Sequence, residues 1–131
     1  MSGSISYVVD TSALLALVFE EEGCREVVSR LERSAVSVVN LAEAVTVLIR
    51  RGVPPAEARW RLEAIPFERV ALSEREALLA GELDAITRPY GLSLGDRCCL
   101  ATAKSLRATA LTADRAWTRV KGAGVAVKAI R

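Results

Sequence analysis

The chain has 131 residues, 51% of them hydrophobic, with 18 basic and 16 acidic side chains, a net charge of +2 and no histidine. That length suits one domain around a single core, and the missing histidine excludes Ser-His-Asp and Cys-His triads, histidine acid–base pairs and histidine-ligated zinc. No apolar run reaches the ~18 residues that span a bilayer, the first residues lack the basic segment and long apolar core of a signal peptide, and the charge is too small to indicate nucleic-acid binding by itself, so the expected setting is cytoplasmic with no membrane contact.

Residues 5–9, Ile-Ser-Tyr-Val-Val, are β-rich and apolar and end abruptly in Asp10. Thr11 and Ser12 follow, then a helix-forming run over 13–19, so the stretch reads as strand, sharp turn and helix. After the charged break Glu20-Glu21-Glu22-Gly23, a short helix is expected over 24–32 and a short strand over 35–38. Asn40 can cap the next helix, with Glu43 at the third position after it. That helix runs to about Arg51 and stops at Gly52. Pro54-Pro55 opens another, since Pro is tolerated in the first turn. Pro66 ends it, and a strand is expected over 67–72. Ser73 and Glu76 match a capping box for a long helix reaching about Arg88. A turn over 90–95 leads to Asp96, at or near the start of a helix to Leu106. A strand over 108–112 ends at Ala113-Asp114. A short helix carries Trp117, and a last strand is expected over 125–127. Strands and helices alternate, so the expected fold class is α/β: a short, mainly parallel central sheet flanked by helices, in one domain over residues 1–131.

The acids divide by type. Twelve are Glu and only four are Asp: Asp10, Asp84, Asp96 and Asp114. Most of the Glu fall in amphipathic helical stretches, as a solvated face would, whereas Asp10, Asp96 and Asp114 stand at edges of apolar segments. Asp10 and Asp114 each lie just past a buried strand, so in a parallel sheet both project from the edge where ligands bind. Asp96 stands at a helix N-terminus, which favours a carboxylate, and Glu43 lies in the first turn of another helix. Taken singly, each has a structural use: Asp10 and Asp96 as caps, Glu43 as half of a capping box with Asn40, Asp114 as a turn residue. Taken together, four acids in one pocket repel, by about 4 kcal/mol for a pair ~4 Å apart at an effective dielectric of 20. Protons or a cation must relieve this. With oxygen ligands and no histidine, Mg²⁺ or Mn²⁺ is the expected cation, and such a site suits attack on a phosphodiester. Thr112 lies two residues before Asp114 on the same face of the strand, and its hydroxyl could hold a water or a phosphate. Ser12 could act likewise, and both could equally bond to backbone. The three cysteines, Cys24, Cys98 and Cys99, suggest reduced, partly buried thiols rather than a disulfide or zinc framework. Fifteen of the 18 basic residues are Arg, which suits phosphate recognition, although Ala and Arg richness also travel together as genome composition.

Four blocks, Val-Val-Asp-Thr-Ser-Ala-Leu-Leu-Ala-Leu, Ser-Val-Val-Asn-Leu-Ala-Glu-Ala-Val, Leu-Ser-Leu-Gly-Asp-Arg-Cys-Cys-Leu-Ala and Ala-Leu-Thr-Ala-Asp-Arg-Ala-Trp, resemble those of the PIN-domain ribonucleases, in the same order and over nearly the whole chain. Among these the chain looks most like the VapC toxins of toxin–antitoxin pairs. The resemblance implies that Asp10, Glu43, Asp96 and Asp114 form an acidic metal site with Thr112 as an auxiliary polar group. It also implies a Mg²⁺-dependent endoribonuclease acting on an RNA substrate, a homodimer, and a cognate antitoxin that blocks the site. Arg97 and Arg115 each follow a site Asp and could touch RNA phosphate or simply face solvent. An apolar groove near Leu17, Val18, Phe19 and Trp60 would suit an amphipathic antitoxin helix.

Two other classes compete. A catalytically silent module of the same fold could bind RNA or protein only. A phosphotransfer domain would use Asp10 as an acyl-phosphate nucleophile, but the second acid such domains carry beside the nucleophile is here replaced by Val9 or Ser12.

Overall fold

The computed structural model describes residues 4–131; the first three residues of the expected 1–131 domain lie outside the described residues. Strand β1 (Tyr7–Val9) leads into α1 (Thr11–Val18) and the short α2 (Cys24–Val28). Strand β2 (Ser34–Ser37) runs directly into α3 (Val38–Arg50), followed by α4 (Pro55–Glu63) and β3 (Glu68–Val70). Helices α5 (Glu74–Glu82), α6 (Asp84–Thr87) and α7 (Leu94–Leu106) precede β4 (Thr109–Thr112), a 3₁₀ turn over Arg115–Arg119, and β5 (Val127–Ala129).

The five strands form one sheet in the order β3-β2-β1-β4-β5, and every pairing is parallel. Alternating pleats send neighbouring residues to opposite faces. Val8 and Val9, both fully buried, therefore join different cores, as do Ala110 and Leu111. One core packs Val9, Leu14, Val36, Leu48, Leu62 and Leu111 under α1 to α4. The other packs Val8, Leu83, Leu100, Ala110 and Trp117 under α5 to α7. A parallel sheet requires this cover on both faces, because its central strands β1 and β4 are buried on both sides. The chain winds outward from β1 through β2 to β3, then crosses back to place β4 on β1's other side. The order reverses between β1 and β4, and the crevice at their carboxyl ends is the natural ligand position of such sheets. Among the described residues, no helix is long and apolar enough to cross a membrane.

Several boundaries differ from the sequence expectation, each for a local reason. The cap of α3 is Ser37, whose hydroxyl accepts from the Val39 N–H at 3.3 Å; Asn40 lies inside the helix and is fully buried. The Ser73–Glu76 capping box forms, but its helix stops at Glu82 and the chain continues through α6 and a 3₁₀ turn at Pro89. The last strand is 127–129 rather than 125–127, because pairing of Ala110 with Val127 and Thr112 with Ala129 sets its register. Cys98 and Cys99 are buried free thiols in α7, and burial pushes both thiol pKa values up.

Candidate active site

Asp10 is the first residue past β1, in the middle of the sheet. Its backbone N–H donates to the Leu111 carbonyl of β4 at 3.0 Å, which fixes the turn against the neighbouring strand. Its side chain is the N-cap of α1: Oδ1 accepts from the Ala13 N–H at 2.8 Å. Ser12 Oγ donates to the same carboxylate at 2.8 and 2.9 Å, and Thr112 Oγ1 donates to Oδ2 at 2.6 Å. The residue is 1% exposed. Burial disfavours the charged form more than these donors favour it, and the pKa rises from 3.8 to about 6.

Thr112 and Ser12 both point at Asp10. Thr112 Oγ1 also accepts the Asp114 N–H at 3.0 Å, and Ser12 Oγ accepts the Ala113 N–H at 2.9 Å. These two hydroxyls tie the carboxyl ends of β1 and β4 together across the reversal of strand order. Thr112 is therefore in the site, but its hydroxyl is spent on orienting Asp10 rather than turned outward towards a water or phosphate.

Asp96 stands at the third position of α7. Ser93 Oγ accepts the Asp96 N–H at 3.2 Å while Asp96 Oδ2 accepts the Ser93 N–H at 2.8 Å, a complete capping box. Burial raises its pKa, and the charges of Glu43 and Asp114 raise it further. Asp96 in turn adds to the rise at Asp10. Asp96 thus lies within electrostatic reach of all three other acids. Asp114 is exposed at the mouth, where its Oδ1 accepts the Ala116 N–H at 2.9 Å and starts the following 3₁₀ turn.

Glu43 is half-buried on α3. Its Oε1 accepts from Thr11 Oγ1 at 2.6 Å and from Asn40 Nδ2 at 3.1 Å. Asn40 Nδ2 also reaches Thr11 Oγ1 at 3.0 Å and the Gly95 carbonyl at 3.1 Å. The expected Asn40–Glu43 capping box is replaced by side-chain contacts joining α1, α3 and α7. Thr11 and Gly95 were not singled out from sequence. Thr11 is a hydroxyl beside a strand-ending Asp, and Gly95 immediately precedes a helix-start Asp, but their partner lies on α3, which spacing along the chain does not reveal.

The four acids therefore gather at one edge, graded from buried Asp10 through half-buried Glu43 and Asp96 to exposed Asp114. Among the described residues none of the four forms an ion pair. An all-oxygen, unpaired acidic set fits a small hard cation in its chemistry. It is not closed: among the described residues no three acids stand close enough to hold an ion together, so binding requires the more exposed side chains to turn inward. Arg97 is not at the mouth. Its Nη1 donates to the Ala80 carbonyl of α5 at 2.9 Å and its side chain is 15% exposed, so it ties α7 to α5. Arg115 is exposed next to Asp114.

A second feature lies on the outer side of α1 and α4. Leu17, Val18, Trp60, Arg61, Ala64 and Ile65 line a groove of about 290 Å³, and Trp60 is 66% exposed. Phe19 is not part of it: the Arg51 guanidinium sits 4.5 Å over its ring.

A family model described as PIN domain matches residues 7–123. No curated protein matches the chain by sequence. Among solved structures, the chain superposes on the DNA-bound VapBC from Salmonella typhimurium with a TM-score of 0.77 at 17% identity, covering 97% of this chain and 99% of that one. FitAcB from Neisseria gonorrhoeae gives 0.72 at 21% identity, covering 95% and 97%. Mycobacterium tuberculosis VapC20, a Sarcin-Ricin loop cleaving toxin, gives 0.66 at 20% identity, covering 80% and 87%. At these identities the likeness is one of fold.

Proposed function

The chain belongs to the PIN-domain family, and from that premise we propose that it is a Mg²⁺-dependent endoribonuclease, the toxin of a VapC-type toxin–antitoxin pair, in one nuclease domain spanning residues 1–131. The observation that carries the reading is the set of four acids at the reversal of strand order, unpaired and mutually repelling. Such a set opposes folding unless something positive relieves it, and the fold keeps Asp10 at its centre. A cation held there, Mg²⁺ or Mn²⁺, would supply Lewis-acid activation of water and offset charge building on the phosphodiester. Asp10, Glu43, Asp96 and Asp114 would hold it. Ser12, Thr112 and the Ala13 N–H keep the Asp10 carboxylate in one orientation, so that little reorganisation is needed as charge develops. Arg115, exposed beside Asp114, would meet an RNA phosphate.

A cognate antitoxin is proposed for the groove at Leu17 and Trp60, whose apolar lining suits the apolar face of an amphipathic helix. The VapBC structures from Salmonella typhimurium and Rickettsia felis are those of complexes, which favours a partner here. A homodimer acting in the cytoplasm completes the proposal; exposed Val38 and Ile49 on α3 offer apolar surface for a second copy.

The experiment is sequencing of RNA ends after induced expression of wild type and of Asp10→Ala. The reading expects new, sequence-restricted RNA ends with wild type and none with the variant. No new ends with either protein would favour a silent binding module of the same fold, and the same new ends with both would remove Asp10 from the reaction.

A further inference from the structure

Two features of the site oppose stability, and both act on one carboxylate. Asn40 is fully buried in the first turn of α3, yet it does not cap that helix; Ser37 does. Its amide nitrogen touches Thr11, Glu43 and the Gly95 carbonyl, while its Oδ1 is buried with no hydrogen-bond partner among the described residues. Flipping the amide would aim Oδ1 at the Glu43 carboxylate and the Gly95 carbonyl, so the orientation is set by those two acceptors. A buried acceptor without a partner costs stability, and an apolar group of the same shape would remove that cost. The Gly95 carbonyl does not depend on the amide either, since a helix interior already gives it the N–H four residues on.

Gly95 is the second oddity. It lies inside α7 with no positive φ, so the backbone does not call for glycine there, and glycine in a helix is destabilising relative to alanine. Space explains it: a Cβ at this position would overlap both carboxylate oxygens of Glu43. Thr11 closes the arrangement from α1, its hydroxyl donating to Glu43 Oε1 at 2.6 Å.

We propose that Asn40, together with Thr11 and the bare backbone of Gly95, is a positioning residue that holds the Glu43 carboxylate in one orientation for the cation at the acidic edge. The inference rests on the reading of Glu43 as a metal-site acid. Asn40 and Thr11 supply the donors, and Gly95 supplies the room in which the carboxylate lies. Sites of this kind pay stability for geometry, and outer partners of metal-holding groups are worth 10- to 100-fold in metal affinity.

The test is calorimetric titration of the purified chain with MnCl₂ and MgCl₂, alongside melting temperatures in EDTA, for wild type, Glu43→Gln, Asn40→Leu, Thr11→Val, Thr11→Ser and Gly95→Ala. Asn40→Leu and Thr11→Val are expected to weaken cation binding by about 10- to 100-fold, and the melting temperature of Asn40→Leu in EDTA should equal or exceed that of wild type. Thr11→Ser keeps the hydroxyl and should restore binding. The nearest atoms that Gly95→Ala meets are all at the end of the flexible Glu43 side chain, so it should fold and displace Glu43, weakening binding like Asn40→Leu. Wild-type affinity in Asn40→Leu and Gly95→Ala, with Glu43→Gln weakened, would overturn the positioning role and leave the site intact. A fall in the EDTA melting temperature of Asn40→Leu, with Gly95→Ala binding normally, would make Asn40 a structural residue and overturn it too. Absence of cation binding in wild type would overturn the metal reading itself, and this inference with it.

Discussion

Burial and three hydrogen-bonding groups act on the Asp10 carboxylate with opposite sign, and burial prevails, raising its pKa from 3.8 to about 6. A carboxyl group whose folded pKa lies above its unfolded one binds protons more tightly when folded. Its contribution is therefore most favourable below pH about 3.8 and is lost as pH rises to about 6. The loss is on the order of 3 kcal/mol for this group alone, and Asp96, also shifted upward, adds to it in the same direction. Melts in EDTA across that range should show the wild type losing stability relative to Asp10→Asn as pH rises, a difference that cancels the opposite shifts of Glu76 and Asp84. A wild type that gains on Asp10→Asn over the same range would mean that the Asp10 charge is held by favourable partners. Charge can also be removed without touching shape: Asn caps a helix as well as Asp does, so Asp10→Asn keeps the cap of α1. The variant should melt higher than wild type in EDTA at pH 7, and in saturating Mg²⁺ that gain should shrink or reverse, because binding stabilises the wild type. A loss of equal size in both buffers would mark Asp10 as a purely structural residue.

At the scale of elements, the strand-ending acids were the most legible part of the sequence. An apolar strand that stops at Asp10 or Asp114 has few local alternatives, and the parallel arrangement then forces both onto one edge. Asn40 and Glu43 were harder. Their spacing of three matches a capping box as well as it matches two side chains touching across a turn, and only Ser37 taking the cap separates the two. Arg97 was ambiguous for a similar reason: a residue after a helix-start Asp can face solvent or the neighbouring helix, and the Ala80 carbonyl of α5 decides it. The groove between α1 and α4 can be tested at Trp60. Trp60 is 66% exposed, and surface substitutions usually cost within about 0.5 kcal/mol. Trp60→Asp should leave the melting temperature nearly unchanged while abolishing copurification of a small partner expressed from the native operon. Full retention of that partner would place the antitoxin elsewhere, and its absence even with wild type would count against the toxin reading.

For the whole molecule, alternation of strands and helices was enough to indicate an α/β class with a mainly parallel sheet, but not the strand order. The order β3-β2-β1-β4-β5 depends on which crossover packs on which face, information held in long-range contacts such as Val8 with Trp117's core and Val9 with Leu48's. That order gives the acids their setting, since the crevice between β1 and β4 exists only because the chain reverses there. We propose that this crevice cuts RNA with a divalent cation. The direct measurement is the RNA cleavage rate of the purified chain after EDTA treatment, without added metal and with Mg²⁺ restored, for wild type and for Asp10→Ala, Glu43→Ala, Asp96→Ala and Asp114→Ala. Cleavage should be absent in EDTA, return for the wild type in Mg²⁺, and fall by orders of magnitude in all four variants. Undiminished cleavage after verified metal removal, or wild-type rates in all four variants, would contradict it.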